Sequence, residues 1–219
     1  MQANGARHVE RQQRRAAMLV SVGSAFLALS SIAAAQAPGQ FAPRQAVVTQ
    51  ASLSAAMGRC LVDRNRAGAV ALVRMSGEAD ERSAVSRIRP DMIACLRGRP
   101  SATLDRLHLT GAIAERLLNE DGGRLLDRAA AVPAVPPARV AAGEHAGDVA
   151  LACAARADPA DAVAMLRAPA ESVVEAAAFG RLGPSLQACV PAEGAVTIKP
   201  YVVRATVAVA TFRAVSQVN

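Results

Sequence analysis

Apolar residues recur along this chain at helical spacing, and the pattern is drawn twice. Leu109, Ile113 and Leu117 fall at i, i+4 and i+8 and form one stripe. Val203, Val207 and Thr211, with Tyr201 and Phe212 alongside, form a second. Upstream of each stripe lies a compact run, Val70-Ala71-Leu72-Val73 and Val163-Ala164-Met165-Leu166, and an arginine closes each, Arg74 and Arg167. Asn65 and Asp158 stand before these runs at equivalent positions and suit a helix N-cap. Pro159 follows its cap at the first helical position, where a missing N–H costs nothing. The pattern next predicts helices over 79–87 and 171–181. Pro90 and Pro184 then start short helices that end at a cysteine. Val196-Thr197-Ile198 is strand-like but too short to change the class.

These parallels are an internal duplication. Cys60, Ala69 to Arg74 and Glu78 match Cys153, Ala162 to Arg167 and Glu171 at an offset of 93 residues. After one inserted residue, Pro90-Asp91-Met92-Ile93-Ala94-Cys95 matches Pro184-Ser185-Leu186-Gln187-Ala188-Cys189 at an offset of 94. One supersecondary unit per copy is the physical reading of such a period. The fold class expected is all-α: two tandem, disulfide-stapled repeats of four to five helices, able to pack about a pseudo-twofold axis. Four cysteines allow three pairings. The duplication favours Cys60–Cys95 with Cys153–Cys189, because a duplicated unit carries its own staple. A zinc site is disfavoured, since no two cysteines are closer than 35 positions and four-cysteine zinc sites use close pairs.

The N-terminal 35 residues read as an export signal. Arg7, Arg11, Arg14 and Arg15 precede the uncharged stretch 16–29, and Ala33-Ala34-Ala35 offers a small-residue cleavage site before Gln36. The alternative is an uncleaved N-terminal membrane anchor, because 16–35 holds no charge and is just long enough to span a bilayer. Arg14-Arg15 also raises a twin-arginine route. The domain plan that follows is a signal peptide at 1–35, a flexible leader at 36–50, repeat 1 at 51–127, an Ala/Pro/Gly-rich linker at 128–147, and repeat 2 at 148–219. The even cysteine count agrees with an oxidising compartment, periplasmic or secreted. Alanine and leucine excess with no tryptophan favours helices. Removal of the signal leaves a net charge of about +4 from the formal +7.

The candidate chemistry is sparse. Arg74 with Glu78, and Arg167 with Glu171, are spaced for structural ion pairs. His108 has Val202 as its counterpart and stands alone in its repeat, too little for a metal site, while His145 lies in the linker. Asp80 and Glu81 make no recognisable glycosidase pair, and aromatic platforms for sugar are lacking. Nucleophile-elbow, zinc-protease and phosphate-loop motifs do not occur. No catalytic residue, cofactor or metal is therefore expected. Arg82, Arg87, Arg89, Arg97, Arg99 and Arg106 outnumber the acids around them and form a candidate anionic patch, with Arg87, Arg89, Arg97 and Arg99 at its centre. A solvated face is the ordinary reading of such a run. Nucleic acid is disfavoured for an exported chain without stacking aromatics.

A cysteine, a capped Ala-Val-Ala-Leu/Met-Val/Leu-Arg helix, then Pro-x-Met/Leu-x-Ala-Cys and an apolar helix resembles uncharacterised exported proteins of alphaproteobacteria. The resemblance covers about 150 residues, both repeats without signal or linker. It implies export and a disulfide-stapled helical fold, and carries no activity, ligand or catalytic residue. The first repeat departs from the pattern at Arg66, where the second has Pro159. The function expected is a non-catalytic interaction or structural module of the bacterial cell envelope. Its partner would be a protein or another envelope component, with no nucleic acid and no membrane after signal cleavage. Two alternatives stand beside it. One is an envelope enzyme of an unrecognised class with its site between the repeats. The other is a binder of anionic envelope lipid or polysaccharide through the arginine-rich face.

Overall fold

The computed structural model describes residues 50–75, 78–96, 105–143, 145–193, 196, 198 and 200–217. The signal and most of the leader, Arg97, Arg99 and Thr197 lie outside these residues. Ten α-helices form among the described residues, and no strand. The first repeat contributes α1 (Gln50–Arg64), α2 (Arg66–Arg74), α3 (Glu78–Leu96), α4 (Arg106–Leu118) and α5 (Arg124–Ala130). The second contributes α6 (Ala146–Ala157), α7 (Pro159–Arg167), α8 (Val173–Arg181), α9 (Gly183–Cys189) and α10 (Pro200–Gln217). Each repeat is closed by its own disulfide, Cys60–Cys95 and Cys153–Cys189.

Equivalent sequence makes equivalent helix starts. The Asn65 side-chain oxygen accepts the Gly68 N–H at 2.9 Å, and the Asp158 carboxylate accepts that of Asp161 at 3.2 Å. Each cap satisfies an N–H that the first helical turn leaves over. Helices α2 and α7 then run nine residues each and end at Arg74 and Arg167.

The repeats differ where two helices were expected in each. The first copy passes through Pro90 as the single helix α3, whereas the second breaks at Leu182 into α8 and α9. Pro90, inside α3, removes a helical hydrogen bond, whereas Pro184, in the first turn of α9, gives up an N–H that has no helical partner. Arg89, a good helix former, carries the chain through in the first copy; Gly183 precedes the proline in the second and lets it break. The burial pattern stays in register across this difference, with Ala84, Ile88 and Cys95 buried in one copy and Ala178, Leu182 and Cys189 in the other. All three pairs stand at the offset of 94, so the inserted residue is absorbed in the loop before α8, where Glu171 takes a left-handed φ of 62°.

A single core runs through both repeats. Met57, Leu61, Leu72 and Ile88 of the first join Leu151, Met165, Val207 and Phe212 of the second in one buried cluster. The centre of the junction is the crossing of α4 and α10. A Cβ placed on Gly111 would lie 2.4 Å from the Cβ of Ala205 and 2.5 Å from its Cα. Gly111 and Ala205 are equivalent positions, 94 apart. Packing about a twofold axis brings equivalent positions together in this way. Gly111→Ala should destabilise by about 2–3 kcal/mol in urea unfolding, because backbone must move to admit the methyl. Gly180→Ala on α8, where nothing lies within 4 Å, should instead stabilise by about 0.5–1 kcal/mol. Equal effects at the two sites would contradict the tight crossing.

The connection between repeats is a strap across the second one. Residues 128–130 belong to α5 and 146–147 to α6. In between, the Val135 N–H donates to the Arg156 carbonyl at 3.0 Å and the Val140 N–H to the Cys189 carbonyl at 2.9 Å. Both acceptors sit in the last residues of helices, where carbonyls lack helical donors. Val140 packs over the small cluster of Ala150, Cys153, Ala154 and Cys189.

Candidate functional site

The helix C-termini are held by two arginines of α10. Arg204 grips Glu115 of α4 with two hydrogen bonds, Nε to Oε2 at 3.0 Å and Nη2 to Oε1 at 2.6 Å. Its Nη1 reaches Glu175 of α8 at 2.9 Å. The same guanidinium donates to the carbonyls of Met165, Leu166 and Ala168 at the end of α7. It is only 17 % exposed. Burial opposes its charge, yet the hydrogen bonds and charges of Glu115 and Glu175 outweigh that cost and hold its pKa above the ordinary value. Arg213 closes the equivalent helix of the other repeat, donating to the carbonyls of Val73 and Met75 at the end of α2. One helix therefore caps both members of the duplicated pair.

Sequence reasoning passed over these two residues, although a signal existed. Arg204 interrupts an otherwise uncharged run from Val202 to Phe212, and a charge buried in such a run must be paired. The ion pair expected between Arg167 and Glu171 is replaced by one between Arg167 and Asp127 of α5, which joins the repeats. His108 packs near the N-cap of α4, with Nδ1 3.5 Å from the Asp105 carboxylate. Arg87 and Arg89 stand exposed on α3. No cluster of three or more metal-ligating side chains occurs among the described residues.

Beside Arg213 the two repeats leave a groove of about 1230 Å³. Its aliphatic surface includes Leu72 and Met75 of α2 and Val209 of α10. Arg106, Asp148 and Arg156 supply charge of both signs. Val135 of the strap and Val149 of α6 line it and are about half exposed. It exceeds the usual 300–1,000 Å³ of a small-molecule pocket.

The chain matches no protein-family model, no curated protein and no solved structure. Its two disulfides indicate a non-cytoplasmic location. No helix among the described residues is long and apolar enough to cross a membrane.

Proposed function

We propose that this protein is an exported, non-catalytic interaction module of the bacterial cell envelope, and that a protein partner seats in the groove between its repeats. The observation that carries the reading is the groove itself. Both repeats and the strap build it, and it mixes aliphatic floor with charges of both signs, the make-up of a non-obligate protein interface. Two staples and a shared core keep its walls in place without a partner, which lowers the ordering cost of binding.

Site-specific photocrosslinking in cells tests this. A photoreactive residue at Val149, inside the groove, should give a discrete adduct in the envelope fraction. The same residue at Val173 of α8, which is 85 % exposed and away from the groove, should not. Ala152→Arg should abolish the Val149 adduct by filling the groove. The first repeat already carries Arg59 at the equivalent position, so the scaffold tolerates that side chain. Identical adducts from both positions, or an adduct indifferent to Ala152→Arg, would refute the groove as the docking site.

A further inference from the structure

We infer that the outer face of α3 is a docking surface for anionic phospholipid, which holds the protein peripherally on a membrane. This goes beyond the interaction-module reading, uses a different face from the groove, and departs from the expectation of no membrane contact. On a helix, Arg82, Arg89 and Ile93 fall within one narrow outward row at i, i+7 and i+11, whereas exposed Arg87 stands about 140° round the helix, outside the row. The opposite side of the helix buries Ala84, Ile88 and Cys95. Glu78 stands one turn before Arg82 on the same side of the helix, and Asp91 stands outside the row. Its carboxylate is turned to the neighbouring helices, accepting from Asn65 Nδ2 at 3.0 Å and pairing with Arg64 at 3.4 Å. Ile93 is 53 % exposed at the end of the arginine row.

The second repeat serves as an internal control. It builds the same unit with the same staple, so whatever the fold requires at the surface must appear in both. At the positions equivalent to Arg82, Arg87, Arg89 and Ile93 it carries Ala176, Arg181, Gly183 and Gln187. The second repeat thus keeps only the arginine outside the row, and closes its staple without a counterpart of Arg82, Arg89 or the exposed isoleucine. The asymmetry extends over the segment up to the second cysteine of each repeat. Residues 50–96 hold seven arginines against five acids, a net +2, whereas 143–190 hold three arginines against six acids, a net −3. A molecule with one basic and one acidic segment is oriented by a charged surface, basic segment inward. A soluble polyanion would account for the arginines alone. The isoleucine among them favours a bilayer, where cations meet headgroups and an apolar side chain enters the acyl boundary.

The test is co-sedimentation of the full mature chain with phosphatidylcholine vesicles, with and without phosphatidylglycerol. Binding should require phosphatidylglycerol and fall with added salt. Arg82→Gln with Arg89→Gln should lower the partition coefficient roughly 25-fold, from about fivefold per basic residue, whereas Arg87→Gln alone should leave it near the starting value. Ile93→Gln, which installs the residue of the second repeat, should lower it by about three- to tenfold. All four positions are exposed, so unfolding midpoints should not move, and the Val149 crosslink should survive. Three results would overturn the inference. One is equal binding to uncharged vesicles; another is binding that ignores the Arg82→Gln, Arg89→Gln pair. The third is retention on dextran sulfate that matches vesicle binding and is blind to Ile93→Gln, which would assign the face to a soluble polyanion.

Discussion

Arg204→Ala should cost about 3–5 kcal/mol of folding stability, a large share of what a domain of this size possesses. The loss is not that of one ion pair. Removing the guanidinium leaves Glu115 and Glu175 as two carboxylates around an emptied, half-enclosed site, and strips the carbonyls of Met165, Leu166 and Ala168 of their shared donor. A buried charge without its partner is far more costly than the pair is favourable. Arg204→Lys keeps the charge but lacks the planar fork, so an intermediate loss is expected. Glu115→Ala should blunt the effect, because one stranded carboxylate is then gone; a double-mutant cycle reads this directly. Since the folded pKa of Arg204 is raised above its ordinary value, its contribution is complete below that ordinary value and is lost only as pH climbs through the folded pKa. The Arg204 guanidinium itself therefore adds no pH dependence across the neutral range. A loss below about 1 kcal/mol would mean the cluster is ordinary surface electrostatics.

Breaking either staple should be nearly as damaging. Cys60–Cys95 closes a span of 35 residues and Cys153–Cys189 one of 36, and loop closure of that length is worth about 3–4 kcal/mol. Alanine replacement of both members of one pair should lower the urea midpoint by that amount. The two pairs should then be close to additive, because they share no partners. Access separates them. Cys60 is only half-buried, whereas Cys153 and Cys189 are both buried, with Val140 packed over them. Limited dithiothreitol should therefore open Cys60–Cys95 first, since exchange requires a thiolate to reach a sulfur. A peptide map that shows Cys153–Cys189 opening first would contradict the shielding role of the strap.

Local rules made the architecture readable in advance. Asn65 and Asp158 announce helix starts because a side-chain oxygen three residues ahead of a free N–H is a short-range event. Pairing of the four cysteines followed from the duplication, since a repeat carries its own staple. The break between α8 and α9 was also local, although Pro90 shows that proline alone does not decide it.

Contacts distant in sequence belonged to the tertiary structure. Arg204 meets Glu115 across 89 positions and Arg213 meets Val73 across 140, distances over which no periodicity carries information. The strap looked like a spacer because prolines and alanines do not reveal which helix ends their N–H groups will satisfy. The duplication determined by itself that two like, stapled helical units exist. That they share one core, cross at Gly111 and Ala205, and leave a groove between them was decided only on packing. A 70-residue helical unit buries too little alone, and the shape of its partner sets which face is covered.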